Sequence, residues 1–61
     1  MYVLALVNLK AGKVELAVDG KILISESFPN LERYTNDQIR EICIETALKA
    51  KYELLGFHVI E

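Results

Sequence analysis

A three-strand meander with apolar residues on both faces, followed by only one helix to cover it, is the strongest constraint in this 61-residue chain. Two glycine-containing turns, Lys10-Ala11-Gly12-Lys13 and Asp19-Gly20, divide residues 2–28 into three strands. Asp-Gly favours the positive φ angles of a tight hairpin, and the first turn suits a looser four-residue loop. Pairing across Asp19-Gly20 is expected to set Val18 against Lys21 and Leu16 against Leu23, and pairing across the first turn to set Leu9 against Val14 and Val7 against Leu16. One face then collects Val3, Ala5, Val7, Leu9, Val14, Leu16, Val18 and Leu23. The other carries Leu4, Leu6, Ala17, Ile22 and Ile24 beside Tyr2, Asn8, Glu15 and Glu26. A single helix buries one such face, and apolar surface left to water on a small protein marks a partner site.

Length sharpens this point. A single domain spanning residues 1–61 is expected, and a chain of this size buries only about 60% of its unfolded surface, so it needs staples or a partner. Disulfides cannot supply them, because Cys43 is the sole cysteine. No Cys/His cluster has the spacing of a zinc site. Association is the remaining route, with a homodimer or a protein partner as the expected outcome.

Charge and hydropathy narrow the classes further. The formal charge is −2 with both signs scattered, which does not give the field of a nucleic-acid binder. The longest apolar run, residues 2–9, is far too short to span a bilayer and lacks the basic start of a signal peptide. With a lone thiol, the chain reads as cytoplasmic.

Pro29 ends the third strand, and Asn30 to Arg33 read as a short polar connection. A helix follows. Thr35 and Gln38 form a capping box, Tyr34 and Ile39 hold the positions of a hydrophobic staple, and Asp37 complements the helix dipole. The helix is expected to run to about Leu55, with Gly56 as its left-handed terminator and Phe57 packing back on Tyr52. Its core side would carry Ile39, Ile42, Cys43, Thr46, Ala47, Ala50 and Leu54, and its solvent side Gln38, Glu41, Glu45 and Lys49. Ile44, Leu48 and Leu55 make a second, narrower apolar strip. Phe57 to Ile60 form a short final strand, parallel to the first and third.

The expected fold is therefore α+β: a three-stranded antiparallel meander, one helix on one face and a C-terminal strand, βββαβ, in the sheet order 3-2-1-4. This order makes the apolar first strand central rather than an unprotected edge. The arrangement resembles the first half of a ribonuclease-H-like sheet, a shape shared with small antitoxin-type domains. Nucleases of that kind need a metal-binding aspartate on the first strand, and this chain has no carboxylate between Met1 and Leu9.

No set of residues announces chemistry. Cys43 sits on the apolar helix side as a small hydrophobe. His58 is the only histidine, and its setting between Phe57 and Val59 reads as structural or solvated. Glu41 and Glu45 belong to a solvent face, Lys10 and Lys13 to a hairpin, and the three glycines to turns and a cap. Tyr2, Tyr34 and Tyr52 do not form a stacking platform. No catalytic residue, cofactor or metal is expected. The candidate interface is Leu4, Leu6, Ala17, Ile22, Ile24, Ile44 and Leu48. Three classes of function follow: a non-enzymatic self-associating module in first place, a nucleic-acid-associated or antitoxin-like regulator built on Lys10, Lys13 and Lys21, and an enzyme using Cys43 or His58 in last place.

Overall fold

A computed structural model describes residues 1–60. Strands β1 (Tyr2–Asn8), β2 (Lys13–Val18) and β3 (Lys21–Ser27) form the meander. A single 3-10 turn (Leu31–Arg33) leads to helix α1 (Asn36–Lys49), and strand β4 (Glu53–Ile60) closes the chain. The sheet order is β3-β2-β1-β4, with β4 parallel to β1 and the meander antiparallel. The expected βββαβ architecture and strand order are both present.

Helix α1 covers one face of this sheet. Val3, Ala5 and Val7 of β1 and Val14 and Leu16 of β2 are buried with Ile39, Cys43, Thr46 and Ala47 of the helix. The small side chains of Ala5 and Ala47 let helix and sheet approach closely, and Thr46 satisfies its buried hydroxyl by donating to the Ile42 carbonyl at 2.8 Å. Leu31 completes the core although it stands in a connection read from the sequence as polar; the turn directs this one apolar side chain inward while Glu32 and Arg33 stay exposed.

Both hairpins form, with registers that differ from expectation. In the first, Val7 faces Val14 and Ala5 faces Leu16, rather than Val7 facing Leu16. The loop keeps four residues but comprises Leu9 to Gly12, one position earlier. Two contacts account for this. Asn8 Oδ1 accepts the Ala11 amide at 3.0 Å, and Gly12, at φ +65°, accepts the Phe28 amide on its carbonyl at 2.7 Å. A Cβ at Gly12 would stand 3.1 Å from the Phe28 carbonyl oxygen, so this position needs glycine for both its φ and its closeness. The change moves the pairing by two residues, so side chains keep their faces.

The second hairpin turns on Asp19 (φ 51°) and Gly20 (φ 78°), as two positive φ angles in a tight turn require. Val18 faces Lys21 as expected. A bulge between Leu16 and Ala17 then brings Leu16 opposite Ile24, and Leu23 becomes the extra residue. Ile24 thereby packs against the core and Glu26 moves with it, while Leu23 is turned out to solvent.

The helix boundaries show one agreement and one correction. At the start, the capping box is complete: Thr35 Oγ1 accepts the Gln38 amide at 3.2 Å, and Gln38 Oε1 accepts the Thr35 amide at 2.9 Å. At the end, the helix stops at Lys49 instead of Leu55, and Leu54, Leu55 and Gly56 lie in β4. The terminator is the expected Schellman arrangement with a different left-handed residue. Lys51, at φ 62°, donates to the Leu48 carbonyl, and Tyr52 donates to the Ala47 carbonyl, both at 2.9 Å. Early termination gives β4 eight residues, enough to pair with β1 from Tyr2 to Asn8. Had the helix run on, much of the apolar β1 would have kept an unpaired backbone edge, which costs more than a strained lysine.

That strain is testable. A non-glycine residue in the left-handed region loses about 1 kcal/mol or more, whereas glycine adopts it freely. Lys51→Gly should therefore raise the thermal midpoint by a few degrees, corresponding to about 0.5–1 kcal/mol in a domain of this size. Thermal circular dichroism measures it, and a lowered midpoint would refute the strain.

Candidate functional site

Opposite the helix, the sheet presents an open face built by the alternation of its strands. Register places Tyr2, Leu4, Leu6 and Asn8 of β1 on this face with Lys13, Glu15 and Ala17 of β2, Ile22, Ser25 and Ser27 of β3, and Glu53, Gly56, His58 and Ile60 of β4. Its apolar members are substantially exposed: Tyr2 63%, Leu4 40%, Ile22 54% and Ile60 41%. A second bulge, between Val3 and Leu4, makes Leu55 the extra residue of β4. It sends Leu54, Phe57 and Val59 together toward the core, which simple alternation would have divided, and leaves Leu55 exposed.

The candidate interface residues do not all share this surface. Leu4, Leu6, Ala17 and Ile22 are together on the open face. Ile24 is on the helix-covered face, transferred by the β3 bulge. Ile44, half-buried, and Leu48, exposed, belong to the helix and are separated from the open face by the thickness of the sheet. Sequence reasoning missed Ile60, Gly56 and His58 as members of the face, because they acquire their places only when β4 pairs with β1. The signal for Ile60 and His58 was present in the alternation of Phe57-His58-Val59-Ile60 itself.

Glu15 and His58 occupy a notable position. Leu6 pairs with Glu15 on one side and with His58 on the other, and Glu15 pairs with Ser25, so one row across the face reads Ser25, Glu15, Leu6, His58. The adjacent row reads Ile22, Ala17, Leu4, Gly56. Leucines thus run down the centre, with small or polar residues beside them.

Other surfaces offer less. The Leu9–Gly12 loop and the Pro29–Arg33 connection line a cleft of about 380 Å³, in which Lys10 and Arg33 are accompanied by Glu32. Lys13 and Lys21 lie at opposite ends of the β2–β3 ladder and do not gather with Lys10 into a basic patch. Cys43 is fully buried, and burial pushes its thiol up to about 11, away from the reactive thiolate. It lies on the helix side of the sheet and His58 on the open side, so the two cannot act as a nucleophile and base pair. Among the described residues, no cluster of three or more His, Cys, Asp or Glu is placed to hold a metal ion. No helix there is long and apolar enough to cross a membrane.

Comparison with known proteins returns no match, whether to a family model, to a curated protein or to a solved structure.

Proposed function

We propose that this chain is a small non-enzymatic interaction protein that self-associates as a homodimer through the open face of its sheet. The observation that carries this reading is the exposure of Tyr2, Leu4, Ile22 and Ile60 on a face that the single helix leaves uncovered. Apolar area of this kind gains roughly 25 cal/mol for each Å² removed from water. Four strands about 4.8 Å apart, each about seven residues long, outline a face of roughly 400 Å² before side-chain relief is counted. Two such faces together approach the roughly 1,000 Å² at which specific interfaces begin, which suits a dimer of micromolar rather than nanomolar affinity. A fully buried, unpaired thiol fits a reducing compartment, and the same reading puts the protein in the cytoplasm.

The nucleic-acid-associated or antitoxin-like alternative has weaker support, because Lys10, Lys13 and Lys21 are dispersed and the net charge is negative.

Molar mass by light scattering, followed over a concentration series, tests the proposal. The chain, 6.9 kDa as a monomer, should approach twice that mass as concentration rises. Leu4→Glu, at the centre of the face, should weaken the dimer at least tenfold while the helical circular dichroism persists, since it places an unpaired charge in an apolar contact. A wild-type monomer at millimolar concentration would overturn the proposal.

A further inference from the structure

We infer that β4 is a second association edge, pairing antiparallel with β4 of another copy about a two-fold axis perpendicular to the sheet, with the backbones of Phe57 and Val59 bonded to those of Val59 and Phe57 across the axis. The inference goes beyond the open-face reading, since it uses the rim of the sheet and a different set of atoms.

Hydrogen bonds at the two ends of β4 fix which way its backbone points. The Glu53 amide donates to the Met1 carbonyl at 2.8 Å, and the Leu9 amide donates to the Ile60 carbonyl at 3.2 Å. Glu53 and Ile60 therefore turn their backbone groups toward β1. A residue in a strand directs its N–H and C=O to one side, and its neighbours direct theirs to the other. Counting back from Ile60, His58 and Gly56 also face β1, whereas Phe57 and Val59 point their amides and carbonyls outward. Among the described residues β4 pairs with β1 alone and ends the sheet. Its outward groups lie on a free edge, and the partner that satisfies such a row is an extended strand.

The opposite edge is protected. β3 begins at Lys21, carries Glu26 near its end and is interrupted by the bulge at Leu23. β4 has no Lys, Arg, Asp, Glu or Pro between Leu54 and Ile60, and its own bulge at Leu55 precedes a regular stretch, residues 56–60. An uncharged, apolar edge of this kind lacks the features that keep strands apart.

A second copy fits because the edge is complementary to itself. Two-fold symmetry about this axis makes the edge strands antiparallel. Centring the pair on Phe57 sets Val59 against the Leu55 bulge, and centring it on Val59 carries Phe57 past the end of β4. Centring on His58 pairs Phe57 with Val59 on both sides of the axis and satisfies every outward group of both residues at once. The side chains agree with this register. Phe57 meets Val59 on the helix side, an aromatic and β-branched pair that stabilises sheets. Ile60, 41% exposed, meets Gly56 on the open face, where a Cβ would find nothing within 4 Å. His58 faces its own equivalent, which suits neutral imidazoles. The product joins the two sheets into one with both helices on the same side, and its open face stays free for the contact proposed above.

Amide exchange by NMR at about pH 7.5, above the ordinary histidine range, tests this on the wild-type chain and on Leu4→Glu, which disables the open-face contact. Between about 50 µM and about 2 mM, exchange at Phe57 and Val59 should slow at least about twofold in both chains, as a contact with a dissociation constant of about a millimolar requires, while the free edge of β3 keeps its rates. Val59→Pro removes an outward donor that the chain itself does not use, and it should abolish the slowing at Phe57 with the far-ultraviolet circular dichroism retained. Exchange at Phe57 and Val59 that ignores concentration in either chain overturns the edge contact and leaves the open-face reading standing. Slowing at Phe57 that survives Val59→Pro overturns it too; should that variant not fold, the other two chains decide. Slowing in both chains, with a molar mass that Leu4→Glu leaves unchanged, supports the edge contact and overturns the open-face reading.

Discussion

Leu16→Ala should remove most of the stability of this fold. Leu16 is completely buried on β2, paired with Ala5 on one side and Ile24 on the other, beneath the helix. Truncation of a buried leucine to alanine costs about 3–5 kcal/mol, combining lost burial with an unfilled cavity. A domain of 61 residues holds only about 3–9 kcal/mol in total. The same substitution at Leu48, two-thirds exposed on the helix, should stay within about 0.5 kcal/mol. Urea denaturation at low protein concentration, where the proposed dimerisation would not add to stability, measures both. A loss below about 1 kcal/mol for Leu16→Ala would mean that Leu16 is not the core residue described here.

The contrast between these two leucines also shows what was legible in the sequence. Periodicity identified Val3, Ala5, Val7, Val14 and Leu16 as one buried face, and Ile39, Cys43, Thr46 and Ala47 as the helix stripe that covers it. Such patterns survive small errors of pairing, since moving the first hairpin by two residues leaves every side chain on its face. The capping box was equally legible because its two hydrogen bonds join residues only three apart.

What was not legible depends on tertiary contacts. Gly56 resembled a helix terminator, but the helix ends at Lys49 because β4 gains seven paired residues against β1. That gain lies more than forty positions away in the chain and leaves no mark near Lys51. The two bulges escaped for a related reason. An inserted residue changes the face of everything beyond it, and neither Leu23 nor Leu55 differs in type from the residues around it. Both follow from the global requirement to bring Ile24 in one strand, and Leu54 with Phe57 and Val59 in the other, onto the helix-covered side. Membership of the open face was therefore readable at Leu4, Leu6, Ala17 and Ile22, before any bulge intervenes, and misread at Ile24.

Opposite consequences are expected from glutamate at Ile22 and at Ile24, although these residues are only two apart on one strand. Regular alternation would put them on the same face and make the substitutions equivalent. The bulge at Leu23 leaves Ile22 beside Ala17 on the open face, half exposed, and turns Ile24 toward Leu16 and the core. Ile22→Glu should therefore keep the monomer's thermal midpoint within a few degrees while weakening the proposed dimer tenfold or more, because the introduced charge would be desolvated only on association. Ile24→Glu should act on folding itself, with a loss of about 2 kcal/mol or more, because its carboxylate is held against an apolar core in the monomer as well. Thermal unfolding of dilute protein reads the second effect, and sedimentation equilibrium of the folded variant reads the first. Equal stability losses for the two variants would place Ile22 and Ile24 on one face and remove the bulge. A folded Ile22→Glu variant that dimerises as tightly as the parent chain would instead put the interface away from this end of β3, while the bulge would still be tested independently by Ile24→Glu.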